Sequence, residues 1–289
     1  MRALHPGISL AYLCQLLGRS RQAYYQGQQS KDNRLLYEAL VAELVQELRN
    51  RLDSPKLGTR KLLPLVQEEL RHQGLTIGRD HLFQIMDSYQ LKVRQRKRRA
   101  PSTTDNTHYF RRYSNLIKEM QVERDSQIWV ADITYIRIKG DRFMYLSLIT
   151  DQYSRKIVGY KLHEDLSTEG PLQALLMALT HRNYPDKALI HHSDQGIQYC
   201  SHEYVSTLRS NGIAISMASK GNPYENPLAE RMNGILKHEY ELNKVMESSE
   251  KAIRTVARVV SVYNSKRPHG KLAGNTPDQV HGNDQVLMS

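Results

Sequence analysis

The sequence predicts an α/β protein in two parts: an all-α region of helix-turn-helix type, then a unit built on a mixed five-stranded sheet with helices on both faces. Three observations predict it. Apolar residues recur at helical spacing as far as residue 91, the spacing becomes strand-like from Gln127 onward, and six cations in eight residues separate the two regimes. These changes delimit a helical N-terminal DNA-binding region at 1–91, a basic linker at 92–124, and an α/β unit with a helical tail at 125–289.

Within the helical region, Leu10 to Leu17 and Arg21 to Tyr25 are short apolar-periodic stretches hinged at Gly18-Arg19-Ser20. A glycine turn followed by a serine cap suits a helix-turn-helix, with an ordinary helical hairpin as the alternative. A longer helix is expected from Asn33 to Leu52, burying Leu36, Leu40, Leu44, Val45 and Leu48, and ended by Asp53-Ser54-Pro55. A further pair follows at Thr59 to His72 and Arg79 to Tyr89, in which Pro64 fits only near a first turn. Lys92, Arg94, Arg96, Lys97, Arg98 and Arg99 then crowd together and repel one another unless a polyanion is near; the plainer alternative is a solvated, extended linker.

From Gln127, β-branched and aromatic runs at Ile128 to Ile138, Phe143 to Thr150 and Lys156 to Leu162 are divided by Lys139-Gly140-Asp141 and Tyr153-Ser154-Arg155, which reads as three hairpin-linked strands. A helix at Pro171 to His181, a strand at Ala188 to His192, a helix at His202 to Ser210 and a strand at Ile213 to Met217 complete a mixed sheet. Helices from Pro227 to Tyr240 and Ser249 to Tyr263 form the tail.

Composition narrows the class of function. The 289 residues carry 41 Lys plus Arg against 30 Asp plus Glu, a net charge of +11, which excludes an acidic solvating chain, and 39% hydrophobic residues argue against disorder. Residues 1–130 hold 22 basic and 13 acidic residues, so most of the excess lies in the first half, where nucleic acid is the natural partner. Cys14 and Cys200 form no CxxC pair and support neither a disulfide framework nor a zinc module. The longest apolar run, Phe143 to Ile149, is too short to span a bilayer, and Met1 to Pro6 lack a signal pattern, so the expectation is a cytoplasmic protein without a membrane partner.

Three acidic residues stand in informative surroundings. Strand alternation puts Asp132 on one face with Ile128, Val130, Ile136 and Ile138, where an unpaired carboxylate is costly. Asp194 follows an apolar strand in Leu189-Ile190-His191-His192-Ser193-Asp194-Gln195-Gly196, at the C-terminal strand end where α/β sheets commonly bind ligands. Glu230 lies in the early turns of a helix opened by Asn226 as cap and Pro227 as first residue, where the dipole favours its ionised form. Beside Asp194, His192 is expected to support rather than ligate, because nearby nitrogen or sulfur partners are missing. Asp151, next to a hairpin, is expected to be structural.

Spacing alone, with 61 residues between the first two carboxylates and 35 between the last two, is weak; the contexts are specific. Trp-Val-Ala-Asp-Ile-Thr-Tyr at 129–135, His-Ser-Asp-Gln-Gly at 192–196 and Gly-Asn-Pro-Tyr-Glu-Asn-Pro-Leu-Ala-Glu-Arg at 221–231 resemble the catalytic core of insertion-sequence transposases. More narrowly, they resemble the second reading-frame product of the insertion-sequence-three family, related to retroviral integrases. The likeness extends through Asp151 to Gly159, Lys237, Tyr263-Asn264 and Arg267-Pro268-His269, and back to Leu57-Gly58-Thr59-Arg60-Lys61-Leu62-Leu63. Glu225 and Pro227 depart from the aspartate and alanine expected there.

The resemblance implies an RNase H-like fold in which Asp132, Asp194 and Glu230 are catalytic and bind two Mg²⁺ ions, with Mn²⁺ as a substitute. Three converging carboxylates repel by about 4 kcal/mol per pair at about 4 Å in an effective dielectric near 20, and hard divalent cations relieve that. The implied reaction is cleavage at a 3′ end and strand transfer by two-metal phosphoryl chemistry. Implied partners are the terminal inverted repeats of the element, target DNA, further copies of the chain on DNA, and an upstream reading-frame product; the implied location is the bacterial nucleoid. Lys237, nearly two turns after Glu230, is a candidate DNA-backbone contact alongside Lys92, Arg94, Arg96, Lys97, Arg98 and Arg99. Competing readings are a non-catalytic DNA-binding regulator or domesticated element protein, which the intact acidic triad opposes, and a tyrosine recombinase, for which His108-Tyr109-Phe110-Arg111 lacks context.

Overall fold

A computed structural model describes residues 9–93, 109–219 and 225–283. Arg94, Arg96, Lys97, Arg98 and Arg99, His108, and Gly221 to Tyr224 of the third motif lie outside the described residues. The chain divides into two compact units, residues 1–48 with 58–93 and residues 49–57 with 94–289, so the turn after the long helix groups with the second unit.

The first unit is helical: α1 (Leu10–Leu16), α2 (Arg21–Arg51), α3 (Thr59–His72) and α4 (Arg79–Ser88). Gly18, at φ 63°, makes the turn between the first two, and the Ser20 hydroxyl caps α2 by accepting from the Ala23 amide at 3.1 Å. The expected break after Tyr25 is absent, and α2 runs unbroken for 31 residues. Gly27 is the only weak helix former between Tyr25 and Gln29, and one glycine lowers helix propensity without ending a helix. The buried stripe also differs: Val41, Ala42, Val45 and Leu48 are buried, whereas Leu36 is 71% exposed and Leu40 38%. Burial is confined to the C-terminal half of α2, and the rest of this core is supplied by Leu62, Val66, Leu70, Leu82, Ile85 and Met86. Pro64 sits in the second turn of α3 with its ring exposed, so the Arg60 carbonyl that loses its helical partner lies on the wet face. Lys92 pairs with Asp87 at 3.0 Å on the surface.

The second unit is a five-stranded sheet of β1 (Ile128–Ile138), β2 (Arg142–Asp151), β3 (Ile157–His163), β4 (Leu189–Ser193) and β5 (Ile213–Met217), in the order β3-β2-β1-β4-β5. The first three are antiparallel, and β4 and β5 run parallel to β1, the arrangement of an RNase H-like core. Gly140 and Asp141, both at positive φ, turn β1 into β2. On one face lie α5 (Glu169–Thr180) and α7 (His202–Ser210), over Trp129, Ala131, Ile149 and Ile213; the short α6 (Ile197–Cys200) leads into α7. On the other, α8 (Pro227–His238) and α9 (Ser249–Lys266) cover Ile136, Met144, Leu146 and Leu148. Gly159 lets α5 approach, since a Cβ there would stand 2.1 Å from the Ala174 carbonyl oxygen. Unexpected from the sequence are α6, a 3-10 turn at Gly270–Leu272 and α10 (Pro277–Val280), the last opened by a full capping box on Thr276 and Gln279.

Both sheet edges are covered. Asn264 on α9 accepts from the Ile157 amide and donates to the Ile157 carbonyl, each at 3.0 Å, standing in for a strand beside β3. Residues 109–124, counted in the basic linker at 92–124, form a strap: the Leu116 amide donates to Ser216 Oγ at 2.8 Å and the Met217 amide to the Ser114 carbonyl at 3.3 Å. Phe110, Tyr113, Ile117 and Val122 pack on the core, which holds this second half of the linker down.

Candidate active site

Register does most of the positioning. Val130 pairs with His192 across the parallel β1–β4 contact, so Asp132, two residues on, is level with Asp194 just past the end of β4. Helix α8 crosses β1 beside them: Ala229 packs on Ile128 and Val130, the Asn226 amide reaches the Ala131 carbonyl at 3.3 Å, and the Asn233 amide donates to Asp132 Oδ2 at 2.6 Å. Glu230 lies in the first turn of α8, between those contacts, with its side chain exposed. The three sequence-predicted carboxylates thus come from the middle of the central strand, the end of its parallel neighbour and a crossing helix.

The electrostatics show their proximity. Burial pushes the Asp132 carboxyl up to about 7, and the charges of Asp194 and then Glu230 push the same way, against hydrogen bonds from the Ile133 backbone and Asn233. Among the described residues no three His, Cys, Asp or Glu side chains stand at ligating distance of one point, so the carboxylates feel each other across a gap. Around them the Asn226 and Asn233 side-chain oxygens and the Tyr199 hydroxyl are buried and have no hydrogen-bond partner among the described residues. Carboxylates supplemented by neutral oxygen acceptors are the donor set a hard divalent cation prefers.

The supporting residues act differently from the sequence expectation. Asn226 is the N-cap residue of α8, but its side chain makes no capping bond and is spent on β1 instead. His192 does not brace Asp194 directly: Nδ1 meets Ser216 Oγ at 2.9 Å and Nε2 meets the Glu225 carbonyl at 3.1 Å, tying β4 and β5 to the loop before α8. Glu225 is clasped from the other side, its carboxylate accepting from Asn115 at 2.9 Å and the Ser219 amide at 2.7 Å, which accommodates that departure from the family pattern. Beneath, burial drives His191 down to about 3, and Tyr204 Oη contacts its Nε2 at 2.8 Å, so a neutral imidazole fills the floor. Gly196 donates to Asp194 Oδ1 at 2.9 Å, and a Cβ at Gly196 would stand 3.0 Å from that oxygen.

Lys237 is half-buried with Nζ 4.0 Å from the centre of the Tyr135 ring, a cation–π contact that aims it; burial lowers its pKa against the pull of Asp132. Sequence reasoning missed Asn233 and Tyr135. Asn233, one turn after Glu230, could have been found by helical spacing; Tyr135 could not, because it meets Lys237 only through the packing of α8 on β1.

The fold is that of an integrase-type core, and comparison bears this out: an integrase core domain model matches residues 122–223 and a second integrase core domain model residues 211–277. The chain belongs to the insertion-sequence-three family of transposases. It is 34% identical over 270 residues, 92% of this chain and 96% of the relative, to the insertion element IS600 uncharacterized 31 kDa protein of Shigella sonnei. It is 30% identical over 220 residues, 76% of this chain and 71% of the relative, to the transposase for insertion sequence element IS629 of the same organism. The transposase InsF for insertion sequence IS3fB of Escherichia coli K12 is 26% identical over 94% of this chain and 93% of its own. Among solved structures, the simian T-cell lymphotropic virus intasome in complex with a PP2A regulatory subunit overlaps 75% of this chain and 70% of that one at 20% identity, with a TM-score of 0.49.

Proposed function

We propose that this chain is a DNA transposase that cleaves the 3′ ends of an insertion sequence and transfers them to target DNA, with Asp132, Asp194 and Glu230 as catalytic residues. The observation that supports the reading is that Asp194 stands level with Asp132 across the β1–β4 register, and that burial, then the charges of Asp194 and Glu230, push the Asp132 carboxyl up to about 7. The same three side chains, with the neutral oxygens of Asn226 and Asn233 nearby, would hold two Mg²⁺ ions or Mn²⁺ in their place. Such ions, when bound, supply charge stabilisation to the attacking and leaving oxygens of an in-line displacement.

The chain itself supplies position. Asn233 orients Asp132, Gly196 orients Asp194, and α8 carries Glu230 to their side of the sheet, near enough for its charge to act on Asp132. Lys237, aimed by Tyr135, is placed to hold a phosphate of the DNA backbone. At the element end a water oxygen attacks the phosphodiester and a 3′-hydroxyl leaves; that hydroxyl then attacks a target phosphodiester, so no covalent protein–DNA bond is formed. Terminal inverted repeats and target DNA are the substrates, joined by further copies of this chain on DNA and by an upstream reading-frame partner, at the nucleoid. Among the described residues no helix is long and apolar enough to cross a membrane.

The test is cleavage and strand joining on element-end DNA with Mg²⁺ or Mn²⁺, wild type against Glu230→Gln. A loss of about a thousandfold or more in the folded variant is expected, in keeping with removal of a group that stabilises the transition state. Equal rates would refute the site; DNA binding without chemistry in both proteins would favour a non-catalytic regulator.

A further inference from the structure

We infer that a groove between the strap and helix α7 binds an unpaired segment of DNA strand at the element end, one phosphate on Arg111 and Arg209 and a neighbouring base against the exposed ring of Tyr109. The inference rests on the transposase reading and adds to it a second binding site outside the carboxylates. The groove has a volume of about 230 Å³, with Cys200 and Val205 among its lining residues.

Its cations are arranged in an unusual way. The Arg111 guanidinium carbon lies 5.5 Å from the centre of the Tyr113 ring and that of Arg209 lies 6.0 Å from the same ring, while Arg209 also donates to the Tyr113 hydroxyl at 3.2 Å. Two like charges are thereby gathered on one phenol, and among the described residues neither is paired with a carboxylate. Arg267 in the same unit shows the alternative, both arms of its fork taken up by Glu239 at 2.8 and 2.9 Å. An arginine pair held together without an acid, with planar forks available, matches a phosphate oxyanion.

Aromatic surface stands beside the cations. Phe110 packs edge-on against His202 with ring centres 5.5 Å apart, and Tyr109 is fully exposed to solvent. Bases buried within a duplex stack cannot use these ring faces; an unpaired base can. Position supports the same occupant, because Cys200 of the groove lies six residues beyond Asp194, at the end of the short helix that leaves the candidate active site.

The test measures binding in EDTA, by fluorescence anisotropy, to an element-end duplex carrying a short unpaired flank and to the same duplex blunt. A 2-aminopurine in the flank reports stacking. Wild type should prefer the flanked duplex. The double variant Arg111→Gln/Arg209→Gln should lose that preference by about tenfold and reduce the salt slope by about one. Tyr109→Ala, which removes only an exposed side chain, should weaken the 2-aminopurine quenching with the melting temperature unchanged. An unaltered flank preference and salt slope in the double variant, or no flank preference in wild type, overturns the groove while leaving metal-dependent cleavage to be judged separately with Glu230→Gln. A wild-type protein that binds no element DNA overturns both readings.

Discussion

Asp151 on β2 and Asp132 on β1 lie on neighbouring strands of one sheet and have opposite fates. Asp151, opposite Trp129 in the β1–β2 register, is fully buried and accepts three hydrogen bonds: from the Ser126 amide at 2.7 Å, and from the Ser154 amide and hydroxyl at 2.8 Å each. Beside it Asp125, equally buried, accepts from Asn183 at 2.5 Å and the Gly282 amide at 2.8 Å, with His281 Nδ1 at 3.1 Å. These acids act as cement, fastening the C-terminal α10 region to the start of β1. Asp132, three rungs away opposite Leu148, has Asn233 and its neighbour's backbone as donors and two further acids as its electrostatic company. Donors surround Asp151, whereas Asp132 has other acids as its company.

Removing the cement should have the larger effect on stability. Asp151→Ala leaves three donors facing a void, and a loss of about 3 kcal/mol or more is expected in urea unfolding. Equal stability would show that those bonds are replaced by water and the contrast is misplaced.

Asp132→Asn should act in the other direction. The folded carboxyl stands at about 7 against an ordinary 3.8, so the folded state binds the proton more tightly and the ionised form costs stability above about pH 7. That cost is relieved as pH falls from about 7 towards 4. Without divalent cation, the variant should therefore be more stable than wild type by about 1 to 3 kcal/mol at pH 8, discounted for partial exposure, and indistinguishable from it near pH 4. A variant less stable at pH 8 would place Asp132 with the cement. The smallest stability effect is expected from Asn233→Ala, within about 0.5 kcal/mol of wild type, yet it should raise the Mn²⁺ concentration for half-maximal cleavage by about tenfold, as loss of a positioning partner does.

Much of this was legible in advance because the relevant signals are local. Strand alternation through Ile128 to Ile138, the turn residues Gly140 and Asp141, and Asn226-Pro227 at a helix start each act within a few residues, and these elements occur where expected. Less legible were features decided at a distance. Leu36 and Leu40 match the helical period as well as Val45 and Leu48, yet only the latter pair is buried. Residues 109–124 space Phe110, Tyr113, Ile117 and Met120 three to four apart, yet they form no helix and lie along β5, whose Ser216 and Met217 offer them partners. His192 reads as a neighbour of Asp194 and serves Glu225 instead, since a strand residue's contacts are set by the next strand rather than the next residue.

By itself, the sequence determined the order of the five strands and the family to which the chain belongs, because periodicity, turn chemistry and motif are written in consecutive residues. Only the tertiary structure decided that Asp132 stands level with Asp194, that Asn233 rather than a capping residue serves it, and that Tyr135 aims Lys237. Those outcomes depend on strand register and on how α8 crosses β1, which side chains far apart in the chain settle jointly by packing.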